Sequence, residues 1–428
     1  MVTVAEVNIW GMMAGAVLWN DSTQTASFEY APDFLKTGLD LSPIVMSTQT
    51  PRIYSFGGLS RDTFLGLPGL LADTLPDAYG KALLDRWLIS VGRTFANPVE
   101  RLCYQGSRSM GALEFQPAQD DYLESGSRIE IASLIEVARA VLHTRRMLHE
   151  NLKEDAREAL ANIIRVGTSA GGARAKAVIA YNAVTGDVRS GQLDAPEGYD
   201  HWLLKLDGVT NEQLGDPSHY GRIEYVYYLM ARKAGIEMME SRLFEENGRA
   251  HFMTRRFDRN PGNEKLHTQT LCGLAHFDYK MLRAYSYEQL FQVMRQLHLP
   301  YVQAEQMFRR MVFNVIARNQ DDHTKNISFI MNRQGEWALA PAYDISWAYN
   351  PSGEWTSRHQ MSINDKWDDF TTDDLLEFSR KINIRHARDI IGQIADSVAQ
   401  WPTLATVCGI PDDIIRQIDS TLLYRKVK

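Results

Sequence analysis

Hydrophobic periodicity changes along this chain, and the change limits the fold more than any other feature of the sequence. Short apolar or alternating runs, separated by Gly, Asn and Asp, predict strands at 4–10, 14–19 and 26–30. From about Tyr279 onward, apolar residues instead recur at helical spacing. The helices predicted there are 288–297, 304–317, 372–379, 387–399 and 412–423. The sequence therefore predicts an α+β protein in which a β-containing part precedes a helical part.

The middle of the chain mixes the two periods. Helical spacing at 70–91 gives way to strand and turn signals at 110–115, and a second segment begins near Ser127. The further elements predicted are helices 129–142, 154–165 and 222–233 and strands 175–181, 202–206 and 251–257, the first of these in a hairpin with a strand from 188 onward. The predicted domains are a small N-terminal β-rich subdomain at 1–125, a mixed-sheet lobe at 126–257 and a helical lobe at 258–428.

Length and composition exclude several classes of protein. The 428 residues fit roughly two or three domains, and a chain with 44% hydrophobic and 23% charged residues is neither collagen-like nor largely disordered. A net charge of −7 argues against a protein that mainly coats nucleic acid. The three cysteines lie far apart, and the apolar run 10–19 is too short to span a bilayer. We therefore expect a cytoplasmic protein without a membrane segment.

The strongest chemical signal is the sequence Asn-Gln-Asp-Asp-His-Thr-Lys-Asn at 319–326. Asp321 and Asn326 are five residues apart, as are the base and the metal-binding Asn in the catalytic loop of protein kinases. In that arrangement Asp321 accepts the hydroxyl proton of the substrate and Asn326 offers an amide oxygen to Mg²⁺. Asp344 then supplies a carboxylate that bridges Mg²⁺ to the phosphates of ATP.

His323 and Lys325 lie close enough to Asp321 in sequence to touch the γ-phosphate. The plainer alternatives for this stretch are a polar surface turn or a loop that binds a divalent cation. Predicted apolar strands at 327–331 and 337–339 flank it, which disfavours a plain surface turn. An EF-hand is excluded because its Gly and terminal Glu are missing.

The other parts of a kinase precede this loop in the expected order: a Gly-rich turn, a Lys on the following strands and a Glu on a helix. Lys176 follows the turn, Lys205 lies in an apolar strand and Glu224 lies on the next helix, where it could pair with Lys205. Taken singly, a Gly-rich turn that only turns, a Lys at a sheet edge and a Glu on a solvated face are the commoner cases. The turn consists of Gly167, Thr168, Ser169, Ala170, Gly171 and Gly172.

Together these motifs resemble the HipA family of bacterial toxin kinases. The resemblance lies in Asn-x-Asp-x-His-x-Lys-Asn at 319–326, Ala-Pro-x-Tyr-Asp at 340–344 and Gly-Thr-Ser-Ala-Gly-Gly-Ala-Arg-Ala-Lys at 167–176. Weaker likenesses at 69–77, 110–113 and 257–259 extend it over most of the chain. None of the motifs is specific alone, whereas their combination is.

The resemblance implies an ATP- and Mg²⁺-dependent serine/threonine protein kinase with an atypical two-lobe kinase fold, its N-lobe a mixed sheet and its C-lobe all helical. It implies the toxin half of a toxin–antitoxin pair, whose substrate is a cellular protein, such as an aminoacyl-tRNA synthetase. The implied partner is a small helix-turn-helix antitoxin that binds operator DNA, so contact of this chain with DNA would be indirect.

Residue roles follow from the same resemblance. Asp321 would be the base, Asn326 and Asp344 would hold Mg²⁺, and Lys205 would bind the phosphates. These roles bring oxygens from the second half of the chain to face a lysine from the first half.

The resemblance also implies an adenine contact and a regulatory serine. The backbone of Arg255, Arg256 and Phe257 would contact adenine, with Asp258 near the ribose; Arg255 stands where the family carries an acidic residue. Ser169 would be the autophosphorylation site, where phosphate expels the Gly-rich loop from the nucleotide site.

Two rival functions account for some of the same residues. Residues 167–171 match G-x-S-x-G, but an α/β-hydrolase needs a strand before the Ser and a helix after it, the reverse of the order predicted here. The other rival is a nucleotide-binding pseudokinase or co-repressor that acts with a DNA-binding antitoxin. The presence of Lys205, Asp321, Asn326 and Asp344 argues against it, because degenerate kinases usually lose one such residue.

Overall fold

The computed structural model describes two compact units, each taken by itself below. It covers residues 2–76, 78–90, 92–93, 96–118, 175–192, 194–207, 219–246 and 248–427. Unit 1 holds the described residues of Met1–Ser218, Phe244–Gln269 and Ile330–Glu336. Unit 2 holds those of His219–Leu243, Thr270–Phe329 and Trp337–Lys428. The predicted helices 129–142 and 154–165 and the Gly-rich turn 167–172 lie outside the described residues.

The first sheet of unit 1 is antiparallel and confirms the strands predicted near the N-terminus. Burial alternates along its first strand, where Val7 and Ile9 face the core and Val4 faces solvent, as expected for a sheet covered on one side. Gly15 is required in the second strand, since a Cβ there would lie 2.2 Å from the carbonyl oxygen of Glu29. The strands are β1 (Val4–Ile9), β2 (Met12–Asn20), β3 (Thr25–Tyr30), β4 (Tyr54–Ser55) and β5 (Leu113–Gln116), in the order β4-β3-β2-β1-β5.

Short helices follow this sheet, and one prediction needs correction. The helix expected over 70–91 is two helices, Gly69–Ala72 and Ala78–Ser90, because Pro76 lies between them and cannot continue an α-helix. The remaining helices among the described residues of unit 1 are Pro32–Leu35, Arg61–Phe64 and Pro98–Gln105, with a short 3₁₀ helix at Pro261–Asn263.

The second sheet of unit 1 contains the predicted hairpin. Asn182 closes its turn, where the side-chain oxygen accepts the backbone N–H groups of Val184 and Thr185. The strands are β6 (Lys176–Tyr181), β7 (Val188–Ser190), β8 (Asp200–Lys205), β9 (Ser241–Glu246) and β10 (Arg249–Arg255), in the order β7-β6-β8-β10-β9. β6 pairs antiparallel with β7 and with β8, and β8 pairs antiparallel with β10.

Unit 2 is mainly helical, as the apolar spacing predicts. Tyr227 packs at its centre against the rings of Phe313 and Trp401, at centroid distances of 6.1 and 5.7 Å. Its helices are Tyr220–Lys233, Leu271–Ala275, Tyr287–Gln296, Tyr301–Ile316, Thr372–Lys381, Ala387–Val398, Trp401–Val407 and Asp412–Asp419. Among the helices that the structure describes, none is both long and apolar enough to cross a bilayer.

Short strands lie between helices in the segment 258–428, so the prediction that this lobe is all helical is wrong in this respect. Strands of two to four residues offer too few positions to establish a period, which is why the sequence does not predict all of them. They are β11 (His267–Thr270), β12 (Tyr285–Ser286), β13 (Ser328–Met331), β14 (Trp337–Leu339) and β15 (Met361–Ser362), of which β12 and β15 pair in parallel.

Candidate active site

The loop that follows helix Tyr301–Ile316 is closed by its own side chains. His323 caps the 3₁₀ helix Thr324–Asn326, because its Nδ1 accepts the backbone N–H of Lys325 at 3.2 Å. The Nδ2 group of Asn326 donates to the carbonyl oxygen of Asp321 at 2.8 Å. These two bonds give residues 321–326 a defined shape.

The Asp321 carboxylate lies partly open to solvent within a set of polar groups. Its Oδ1 accepts the indole N–H of Trp355 at 2.7 Å, and the Nε2 atom of His323 lies 3.6 Å from the same oxygen. The side chain is 41% exposed. Surrounding protein atoms nevertheless reduce its hydration and raise its pKa, as do the charges of Asp344 and Asp322, while His323 and Trp355 oppose the shift. A carboxyl with a raised pKa suits proton transfer.

Asn326 and Asp344 lie close enough to Asp321 to act on it, Asn326 through a hydrogen bond and Asp344 through its charge. Because Nδ2 of Asn326 donates to Asp321, the Oδ1 end of the amide is the end that can bind a cation. Asp344 has a φ of 51°, a left-handed conformation uncommon outside Gly, Asn and Asp. The preceding Tyr343 fixes this segment to the loop, since its hydroxyl donates to the carbonyl oxygen of Lys325 at 2.8 Å.

The donor set of this site fits Mg²⁺. No group of three or more His, Cys, Asp and Glu side chains in the described ranges is arranged to hold a metal ion. A phosphate-bound Mg²⁺ needs fewer protein ligands, because phosphate oxygens and water complete its shell. The Asp344 carboxylate and the Asn326 amide are hard oxygen ligands of the kind this ion prefers.

A buried network below the loop is absent from the sequence predictions. Asp322 accepts the hydroxyl of Tyr287 and the Nδ1–H of His359, both at 2.9 Å, and the backbone N–H of Gln360 at 2.8 Å. Asn314 extends the network by donating to the Tyr287 hydroxyl at 3.2 Å. The only sequence signal for this network is that a second acid, Asp322, directly follows Asp321.

The two other loop residues predicted to act at the site lie beside aromatic rings. The His323 ring is 5.2 Å from that of Tyr279 and 6.0 Å from that of Trp355. The Nζ atom of Lys325 lies 5.4 Å from the centre of the Tyr279 ring, within range of a cation–π interaction. Their predicted contact with the γ-phosphate stays a prediction.

In unit 1, the predicted phosphate-binding lysines form a row across the second sheet. Lys176 is directly opposite Lys205, and Lys205 is directly opposite Phe252, so the three side chains share one face. Lys176 is 3% exposed, and the Nζ atom of Lys205 lies 5.7 Å from the centre of the Phe252 ring. In unit 2, Glu224 is 3% exposed on helix Tyr220–Lys233, and its pairing with Lys205 stays a prediction.

The segment predicted to contact adenine and ribose contains a buried ion-pair network that the sequence does not reveal. Asp258 is 0% exposed; Arg256 binds both its oxygens, at 2.8 and 2.7 Å, and Arg259 and the N–H of Gly111 each bind Oδ2 at 2.7 Å. The two arginines hold the pKa of this carboxyl far below its usual range despite its burial. Asp258 therefore takes part in a buried ion-pair network, and its expected position near the ribose stays a prediction.

The side chain of Arg255 and the backbone of Arg256 also make contacts within the protein. Arg255 pairs with Asp200 at 2.5 Å, and the backbone N–H of Arg256 donates to the carbonyl oxygen of His201. The predicted adenine contact of Arg255, Arg256 and Phe257 stays a prediction.

Comparison with known families identifies the chain. A model described as the HipA-like C-terminal domain matches residues 168–401, which is more than half of the chain, and one described as the HipA N-terminal domain matches residues 5–116. The chain belongs to the HipA family. No curated protein sequence matches it.

The structure of a HipA chain shares this fold. HipA in the Shewanella oneidensis MR-1 toxin–antitoxin complex of HipA, HipB and operator DNA matches with a TM-score of 0.68 at 18% identity, over 98% of this chain and 96% of that one. The Helicobacter pylori proinflammatory kinase CtkA matches with a TM-score of 0.33 at 14% identity, over 52% of this chain and 88% of that one. The fold class predicted from the sequence, α+β of the two-lobe kinase-like kind, is confirmed.

Proposed function

We propose that this HipA-family chain is an ATP-dependent serine/threonine protein kinase and the toxin component of a HipA/HipB-like toxin–antitoxin system. The single observation that carries the proposal is the grouping within unit 2 of Asp321, Asn326 and Asp344. The amide of Asn326 is bonded to the Asp321 backbone, and the charge of Asp344 raises the pKa of the Asp321 carboxyl. This is the set of groups that phosphoryl transfer requires.

In the proposed reaction Asp321 is the base. It takes the proton of a serine or threonine hydroxyl as that oxygen bonds to the γ-phosphorus of ATP. The bond from phosphorus to the β,γ-bridging oxygen breaks, and ADP leaves with the electron pair. Mg²⁺, when bound, neutralises charge on the phosphate oxygens, and Asn326 and Asp344 are the residues that would hold it.

The lysine row of unit 1 suits the phosphates of ATP. Lys176 and Lys205 stand directly opposite each other on one face of the sheet. Two ammonium groups on one face offer positive charge to phosphate oxygens. The Gly-rich turn and Glu224 would complete the nucleotide site, with Ser169 as the autophosphorylated residue.

The proposed partner is a small DNA-binding antitoxin of the HipB kind, in the cytoplasm. Support comes from family membership and from the fold shared with a HipA chain whose structure was solved with HipB and operator DNA. The proposed substrate is a cellular protein, such as an aminoacyl-tRNA synthetase.

Labelled ATP tests the proposal. The purified chain is incubated with γ-labelled MgATP and a lysate, and incorporation of label into protein is measured. Asp321→Asn, whose amide oxygen can still accept the Trp355 N–H, should lower the rate by about 10²–10⁴. Asp413→Asn, an exposed carboxylate in helix Asp412–Asp419, is the matched control and should leave it unchanged. Equal incorporation with Asp321→Asn would remove Asp321 from the mechanism.

A further inference from the structure

The contacts on Asp321 are unequal between its two carboxylate oxygens. Within the described residues, Oδ1 accepts the Trp355 indole N–H at 2.7 Å and lies 3.6 Å from His323 Nε2, whereas Oδ2 accepts no hydrogen bond. The indole is a rigid, donor-only group, and a hydrogen bond to a carboxylate is stronger than one between neutral groups. Trp355 therefore fixes the rotation of the carboxylate and leaves Oδ2 open.

Trp355 belongs to a short segment that forms hydrogen bonds with two successive residues of the loop. We call residues 355–360 the clamp segment. Its first residue bonds the Asp321 side chain, and its last two, His359 and Gln360, bond the Asp322 side chain at 2.9 and 2.8 Å. The clamp is also closed on itself, because the side-chain amide of Gln360 donates to the carbonyl oxygen of Trp355.

This arrangement couples the geometry of the base to a segment more than thirty residues away. Asp322 and His359 are each 1% exposed at the side chain, so their bond provides a buried anchor for the clamp. Trp355 is half-buried and reaches from that anchor to the partly open Asp321. A displacement of about 1 Å at a reacting group can cost about 10²-fold in rate, so an anchor of this kind affects catalysis directly.

We propose that Trp355 is a positioning residue for the base: its indole N–H holds Oδ1 of Asp321 so that Oδ2 faces the hydroxyl of the protein substrate. The inference rests on the proposed kinase function and assigns a role to the clamp segment within it. Trp355 does not touch the reacting atoms; it acts through Asp321.

The test replaces Trp355 with Phe, which keeps an aromatic ring and removes the N–H. Incorporation of label from γ-labelled MgATP into protein is measured against ATP concentration. The maximum rate should fall about 10- to 100-fold, while the half-saturating ATP concentration should stay within about twofold of the wild-type value. Trp347→Phe is the matched control, because that indole donates to the hydroxyl of Thr421 instead and its loss should leave the rate unchanged.

A double variant separates positioning from a merely structural role. If Trp355 acts through Asp321, adding Trp355→Phe to Asp321→Asn should slow the residual single-turnover transfer by less than about twofold. Should Trp355→Phe fail to fold, Gln360→Met loosens the clamp without touching Asp321 and should lower the maximum rate in the same direction.

The outcomes are distinguishable. The positioning role is overturned if the wild-type chain transfers phosphate and Trp355→Phe does so at the same rate. It is also overturned if Trp355→Phe lowers the rate by the same factor in the Asp321→Asn background as in the wild-type chain. Both results leave the kinase proposal intact. A wild-type chain that transfers no phosphate overturns both.

Discussion

Replacing Asp258 with Asn tests whether this residue stabilises the protein or binds nucleotide. The change removes the carboxylate charge that Arg256 and Arg259 both bind, and it leaves two buried guanidinium groups facing an uncharged amide. Breaking a buried ion pair in this way costs roughly 3–5 kcal/mol. At about 2–4 °C per kcal/mol for domains of about 150–250 residues, the melting temperature should fall by about 6–20 °C.

The assay is thermal and urea unfolding without nucleotide, with Asp200→Asn as the matched control. Asp200 also pairs with an arginine, Arg255, but it is 46% exposed, and such surface pairs contribute roughly 0–1 kcal/mol. The structural role would be refuted if Asp258→Asn had the same free energy of unfolding as the control. If Asp258→Asn also bound ATP more weakly, the result would support the predicted ribose contact.

Two further predictions concern acid stability and regulation. Burial lowers the pKa of His267 to about 4, although its Nε2 bonds the carbonyl oxygen of Leu41, so the folded state binds fewer protons than the unfolded state. The contribution of the neutral imidazole to the free energy of unfolding should be fully present above pH 6.5 and should fall by about 3 kcal/mol as the pH drops through 4. Urea unfolding of His267→Gln should therefore show a flatter dependence of this free energy on pH. A pH dependence as steep in His267→Gln would contradict this. Incubation with MgATP should place phosphate on Ser169, found by mass spectrometry and lost in Ser169→Ala; phosphate found only elsewhere would reject Ser169 as the regulatory site.

The sequence predicts local features of this molecule well. The hairpin at 175–181 and its partner strand follow from an apolar run and a turn led by Asn182. Most helices of unit 2 follow from apolar spacing, and the structure adds caps such as the Ser286 and Gln289 capping box. The helix expected at 70–91 was wrong in one respect, because apolar spacing outweighed Pro76 in the prediction. The three-domain division stays a prediction.

The contacts that define the candidate site could not be predicted, because they join residues far apart in sequence. Asp321, Asn326 and Asp344 are recognisable from their spacing, since the loop is short and closes on itself. Nothing in the sequence around Trp355 indicates its bond to Asp321. Asp258 is a further case: its motif indicates a nucleotide contact, which stays a prediction, whereas its burial between two arginines is a tertiary property that the sequence does not indicate.

Single-turnover transfer at matched ATP occupancy tests the central claim, that Asp321 is the base of a kinase site. Binding of MgATP to the wild-type chain and to Asp321→Asn is measured by calorimetry, and transfer of the γ-phosphate to protein is then followed at saturating ATP. The account predicts ATP affinities within about twofold of each other and a rate about 10²–10⁴ lower for Asp321→Asn. Equal rates at equal affinity would contradict it.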